Sequence, residues 1–182
     1  MVSLQYTITK EDYISFYTHV FWEEGKKKRR LNFLKQGGFL IAFLLVLYFV
    51  GGIGSFNNFS IAIYALIFIS TLLPLLTGKS SIIKSAERIT ENSENSSIFT
   101  EYFLTATDAE LNIKNSSIET NYLWKAIIKK TETNTHYFLF ENSMQALIIP
   151  KSACKSEEEK LALKKILSRN LSMDAEFNQI LT

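Results

Sequence analysis

The side chains able to do acid–base or nucleophilic chemistry are few. There are two histidines, His19 and His136, and one cysteine, Cys154. No H-x-x-x-H, C-x-x-C or histidine-plus-acid spacing is present, so no ligand set for zinc or a metal hydrolase can be assembled from neighbours in sequence. Cys154 with His136 is the one conceivable nucleophile–base pair, and no local signature supports it. After Gly78 there is no glycine at all, which removes the usual means of bringing backbone close to a phosphate. These absences lead to the expectation of a non-enzymatic protein with no cofactor. The basic residues are more numerous. Lys125, the pair Lys129-Lys130, Lys151 and Lys155 are read as a basic strand edge, either a contact for an anionic head group or a solvated edge that discourages aggregation.

The elements that would carry these residues are organised around residues 36–78, which contain no charged side chain. Lys26, Lys27, Lys28, Arg29, Arg30 and Lys35 precede this stretch, and Lys79 follows it. A bilayer core about 30 Å thick takes roughly 20 apolar residues of helix. Residues 34–53 and 59–77 each supply such a run, and the Gly- and Asn-rich segment between them reads as a turn. The expectation is a two-helix transmembrane hairpin over 34–78. Its basic flanks and uncharged loop place both termini in the cytoplasm, as a multi-pass protein of the cell inner membrane. The seven cations named above are then topology determinants at the membrane interface, in reach of anionic lipid. Pro74 reads as a packing kink.

Before the hairpin, residues 1–33 read as a short strand followed by an amphipathic helix with a basic flank. Val2, Leu4 and Tyr6 alternate with polar neighbours. Thr9 with Glu11 and Asp12 opens a helix on which Tyr13, Phe16, Tyr17, Val20 and Phe21 share one face. Whether this helix docks on the C-terminal domain or lies on the membrane is open at this stage. Residues 79–97 read as a helical extension and a polar linker.

Residues 98–172 are strand-rich. Alternation marks strands at Phe99–Thr105, around Leu111 and Ile113, at Ile118–Leu123, Ala126–Lys130, His136–Glu141 and Gln145–Ile149. Asn115-Ser116 and Asn142-Ser143 read as turns. Ser156 with Glu159 is a capping box opening an amphipathic helix through Leu163, Ile166 and Leu167. Trp124 reads as a core anchor of this domain, and 173–182 as a tail. A net charge of +2 gives no reason to expect nucleic acid. The expected partners are the lipid bilayer and a protein, with the oligomeric state open.

The segments Glu11-Asp12-Tyr13, Glu101-Tyr102-Phe103, Leu123-Trp124-Lys125-Ala126-Ile127 and Ile148-Ile149-Pro150-Lys151 resemble the YcxB-like family of small bacterial membrane proteins. The resemblance implies an α+β membrane protein in which a pleckstrin-homology-like antiparallel β domain, closed by a C-terminal helix, follows the hairpin. It implies no catalytic residues. The functional expectation is a membrane protein with a cytoplasmic binding or regulatory domain. An immunity-type protein neutralising a toxin at the membrane and a self-assembling scaffold are the alternatives.

Overall fold

The computed structural model describes the backbone of residues 1–24, 26–51 and 58–171. Within the long helices the described side chains exclude 26–28, 40, 44, 47–51, 58–65, 67–68 and 71–76. The chain divides into two compact units, Met1–Phe16 with Ala86–Thr182, and Tyr17–Ser85. The first strand and most of the first helix therefore belong to the same unit as the C-terminal strands.

Among the described residues, the first unit holds seven strands in two antiparallel sheets. The larger sheet is ordered β1 (Val2–Thr7), β2 (Glu101–Ala106), β3 (Glu110–Lys114) and β4 (Glu119–Leu123). The smaller is ordered β5 (Lys129–Glu132), β6 (His136–Phe140) and β7 (Ala146–Pro150). β1 reaches its partner across some hundred residues, pairing Val2 with Ala106, Leu4 with Leu104 and Tyr6 with Tyr102. Its strict alternation puts Val2, Leu4 and Tyr6 inside and Ser3, Gln5 and Thr7 outside. Ala126, expected to begin a strand, instead closes a single 3-10 turn, Trp124–Ala126, that joins the two sheets. Residues 93–97, expected within the polar linker, form most of another, Ser93–Ile98.

The hairpin turns of this unit contain no glycine and are braced by side-chain acceptors. Asn115 Oδ1 accepts from the backbone N–H groups of Ser117 and Ile118 at 2.8 Å each. Asn142 Oδ1 does the same for Met144 and Gln145 at 3.0 and 2.9 Å. Thr107 Oγ1 accepts from Ala109 and Glu110, and Thr133 Oγ1 from Thr135 and His136. Each side chain supplies a local acceptor for backbone N–H groups of its turn.

Two helices cover the smaller sheet on opposite faces. α1 (Lys10–Thr18) starts in a Thr9/Asp12 capping box: Asp12 N–H donates to Thr9 Oγ1 at 3.1 Å and Thr9 N–H to Asp12 Oδ2 at 2.8 Å. Its Phe16 packs on Phe138 and Phe140, with ring centroids 5.5 and 6.1 Å apart. Between the two placements left open by the sequence, α1 thus docks on the strands. α4 (Glu157–Asn170) meets the other face. It is capped by Ser156 Oγ, which accepts from Glu159 N–H at 3.1 Å, and it buries Leu163, Ile166 and Leu167. β6 is therefore buried along its whole length, Phe138, Leu139 and Phe140 completely so.

In the second unit, α1 runs into a π-helical turn, His19–Glu23, followed by α2 (Lys26–Gly51) and α3 (Asn58–Glu91). The expectation of a transmembrane hairpin over 34–78 is overturned. Among the described residues no helix is long and apolar enough to cross a membrane. The multi-pass placement with both ends in the cytoplasm falls with it. The helices are not bounded by the charges that delimit the apolar run in sequence. α2 opens on Lys26–Arg30 and carries Lys35, and α3 continues through Lys79, Lys84, Glu87, Arg88 and Glu91. A reading confined to the uncharged run misses the charge each helix carries. The expected turn at 52–57 and most side chains at the middle of the run lie outside the described residues.

Trp22 organises the described part of this unit. The Arg29 guanidinium lies 3.8 Å above its indole and donates to the carbonyls of Phe21 and Trp22. A Cβ built at Gly78 would sit 2.9 Å from Trp22 Cζ3, so α3 can meet this ring only through a residue without a side chain. Gly78→Val is expected to push the indole out and to cost about 1–2 kcal/mol through overpacking. Tryptophan emission in a Trp124→Phe background checks this: it should move to longer wavelength as Trp22 gains solvent, and an unchanged spectrum would show that the seat accommodates a side chain.

Candidate functional site

His136 lies at the start of β6, buried beneath α1. Its Nε2 is 2.8 Å from Asp12 Oδ1 and its Nδ1 2.8 Å from Thr135 Oγ1. Both ring nitrogens are thus committed to protein partners, which leaves neither available to a nucleophile or a substrate. The arrangement joins α1 to β6. His19 pairs with Glu24 at 3.2 Å within the second unit. Cys154 is half-buried, and burial followed by the nearby Glu159 carboxylate pushes its thiol pKa up, the direction opposite to activation. Among the described residues no group of His, Cys, Asp and Glu is arranged to hold a metal ion.

The structure scatters the basic residues. Arg29 is turned onto Trp22, whereas Arg30, Lys35 and Lys79 are exposed, and the side chains of Lys26, Lys27 and Lys28 lie outside the described residues. The basic edge read from Lys125, Lys129, Lys130, Lys151 and Lys155 does not form as one surface. Lys129 reaches toward the Phe140 ring, 5.7 Å from its centroid. Lys130 turns to the α4 face, where it is 4 % exposed and donates to Ser168 Oγ at 3.4 Å. Burial lowers its ammonium pKa. Lys151 Nζ folds onto Glu132 Oε1 at 2.7 Å and lies 4.8 Å over the Tyr137 ring. Trp124 is buried at the junction of the sheets, its indole N–H donating to the Thr107 carbonyl at 3.2 Å.

Glu132, which sequence reasoning passed over, is the centre of the resulting cluster. It binds Lys151, stands 3.8 Å from Lys164 of α4 and accepts from the Tyr137 hydroxyl. The Lys151 hydrogen bond is the main reason its carboxyl pKa is lowered. Burial, with Glu132 beside it, pushes Tyr137 up to about 12. A phenol whose pKa rises from its ordinary 10 contributes stability that is complete below pH 10 and is lost as pH rises through about 12. Tyr137→Phe is therefore expected to flatten the alkaline limb of the stability profile between those values. Urea midpoints across the range would show it, and an unaltered slope would reject it.

A concave feature of this unit lies elsewhere. A groove of about 350 Å³ is walled by Tyr6, Tyr13, Phe16, Tyr102, Met144 and Ile148, with Gln145 at its side. Its lining contains no formally charged residue. Tyr6 and Tyr102, cross-strand partners in β1 and β2, stack at 6.0 Å, and burial pushes the Tyr6 phenol strongly upward, so it stays protonated. Met144 is 62 % exposed at the β6–β7 turn. The sequence signal for this groove was the aromatic content of the first strand and first helix, but their meeting with residues 144–148 is a product of tertiary structure. Apolar walls with a few polar tips suit binding.

No curated protein and no solved structure matches the chain. The pleckstrin-homology likeness consequently rests on the family resemblance alone. That resemblance is met by a family comparison that covers β3 to β7 and most of α4, takes in β2 only at its last residue, and leaves out β1 and α1. Residues 106–167 match the model described as YcxB-like protein, and the chain carries a YcxB-like domain.

Proposed function

We propose that the unit built from Met1–Phe16 and Ala86–Leu171 is a non-enzymatic binding module with a regulatory role, and that it takes an apolar, uncharged part of its partner in the Tyr6/Tyr102 groove. The observation that carries this reading is the groove's composition: aromatic and aliphatic walls without a charged side chain, rimmed by the exposed Met144. Flexible, polarizable methionine is favoured where a surface must adapt to its ligand. The residues with acid–base capacity support the reading by where they point, since His136 and Glu132 are each engaged with neighbouring protein groups.

A photo-crosslinking amino acid placed at Met144 tests it, with the same residue at Lys114, exposed at the end of β3, as control. The expected result in native extracts is a discrete adduct from position 144 that is absent from position 114. Tyr102→Glu, which puts a charge into the groove, should abolish it. Equal labelling at both positions, or an adduct indifferent to Tyr102→Glu, would sink the groove as the binding site.

A further inference from the structure

The groove is bordered by a strand with one unpaired edge. The smaller sheet is ordered β5-β6-β7, so among the described residues β7 has β6 as its one strand neighbour. Two flanking bonds fix which residues face which way. Glu141 N–H donates to the Gln145 carbonyl at 3.0 Å and Lys151 N–H to the Thr135 carbonyl at 2.8 Å. In an antiparallel ladder this inward pairing recurs at every second residue, so Leu147 and Ile149 pair with Leu139 and Tyr137. The backbone N–H and C=O groups of Ala146 and Ile148 are therefore directed away from β6. Pro150 has no N–H to offer and ends the available edge. Residues 144–148 also form one wall of the groove.

We infer that the groove's ligand is an extended, uncharged segment of a partner protein, which adds as a further strand on β7 by pairing with the backbone of Ala146 and Ile148 while its alternate side chains enter the Tyr6/Tyr102 groove. This rests on the groove being the binding site. A compact apolar molecule would fill the groove and leave two adjacent donor–acceptor pairs without partners, whereas an extended chain meets both requirements at once. The absence of charge in the lining selects uncharged side chains at the inward positions, because an ion placed there would be desolvated without a counter-charge.

A random octapeptide display library panned against the full chain, with the Tyr102→Glu chain as counter-selection, supplies the probe. The enriched peptide is then synthesised in plain form and N-methylated at alternate residues in each of the two registers. The expected results are enriched sequences with alternating uncharged apolar residues, at least tenfold weaker binding for one N-methylated register, and slowed amide exchange at Ala146 and Ile148. Ala146→Pro removes one outward donor without touching the β6 ladder, and it should weaken binding comparably. If that variant fails to fold, the N-methylated peptides on the unaltered chain carry the test by themselves. A peptide that needs Tyr102 but tolerates N-methylation in both registers would overturn strand addition while leaving the groove as the site. No enrichment over the Tyr102→Glu chain would overturn both.

Discussion

Asp12→Ala is expected to destabilise the unit formed by residues 1–16 and 86–171 by about 3 kcal/mol. Two losses combine. The buried His136 ring loses the carboxylate 2.8 Å from its Nε2, and a hydrogen bond to an ionised partner contributes about 1.5–3 kcal/mol. The α1 capping box loses the acceptor for Thr9 N–H, a change in the range of an N-cap deletion, about 1 kcal/mol. Asp12→Asn keeps an acceptor near both groups and should cost less than half as much. Urea unfolding followed through α1 amide exchange separates these outcomes. A double-mutant cycle with His136→Ala should return a coupling of about 1–3 kcal/mol, as expected for groups in direct contact. Additive losses would mean that the pair is incidental and that Phe16 alone holds α1 to β6.

This contact also shows where sequence reasoning reached its limit. Asp12 and His136 are 124 residues apart. Each was legible in its own surroundings, Asp12 in a helix start and His136 at a strand start, because caps and alternation are local signals. The turn side chains Asn115 and Asn142, the Ser156 cap and the alternation of Val2, Leu4 and Tyr6 were legible for the same reason. That the first strand pairs with residues 101–106 is not a local property, and neither is the assembly of the groove from both ends of the chain. The basic edge failed differently. Lys129 and Lys130 are neighbours in sequence and point to opposite faces of β5, so one meets Phe140 and the other Ser168. Charge counting along the chain merges what the pleat divides. The hairpin expectation fails on a third ground: its two spans are bounded by the edges of the uncharged run, whereas the helices extend through its charged flanks.

Glu132→Gln is expected to cost about 2 kcal/mol at neutral pH and to remove the acid sensitivity that this residue confers. The carboxylate is the counter-charge for Lys151, 15 % exposed, and it neighbours Lys130 and Lys164. Removing one member of a fully buried pair costs about 3–5 kcal/mol, and partial solvent access to Glu132 reduces that figure. The pH dependence follows from the lowered carboxyl pKa. The unfolded chain takes up a proton near the ordinary value of 4.5, while the folded state resists until a lower pH. The stabilisation is therefore complete above 4.5 and disappears as pH falls through the folded-state value. Gln has no charge to lose, so its profile should be flatter on the acid side and meet the unaltered protein's at low pH. The consequence reaches α4, because Lys164 and Ser168 touch this cluster from the helix that covers the sheet. Amide exchange in α4 should quicken in Glu132→Gln more than exchange in α1, which holds the opposite face through Asp12 and Phe16. Equal quickening in both helices would show that the sheet responds as one body and that Glu132 does not fasten α4 in particular.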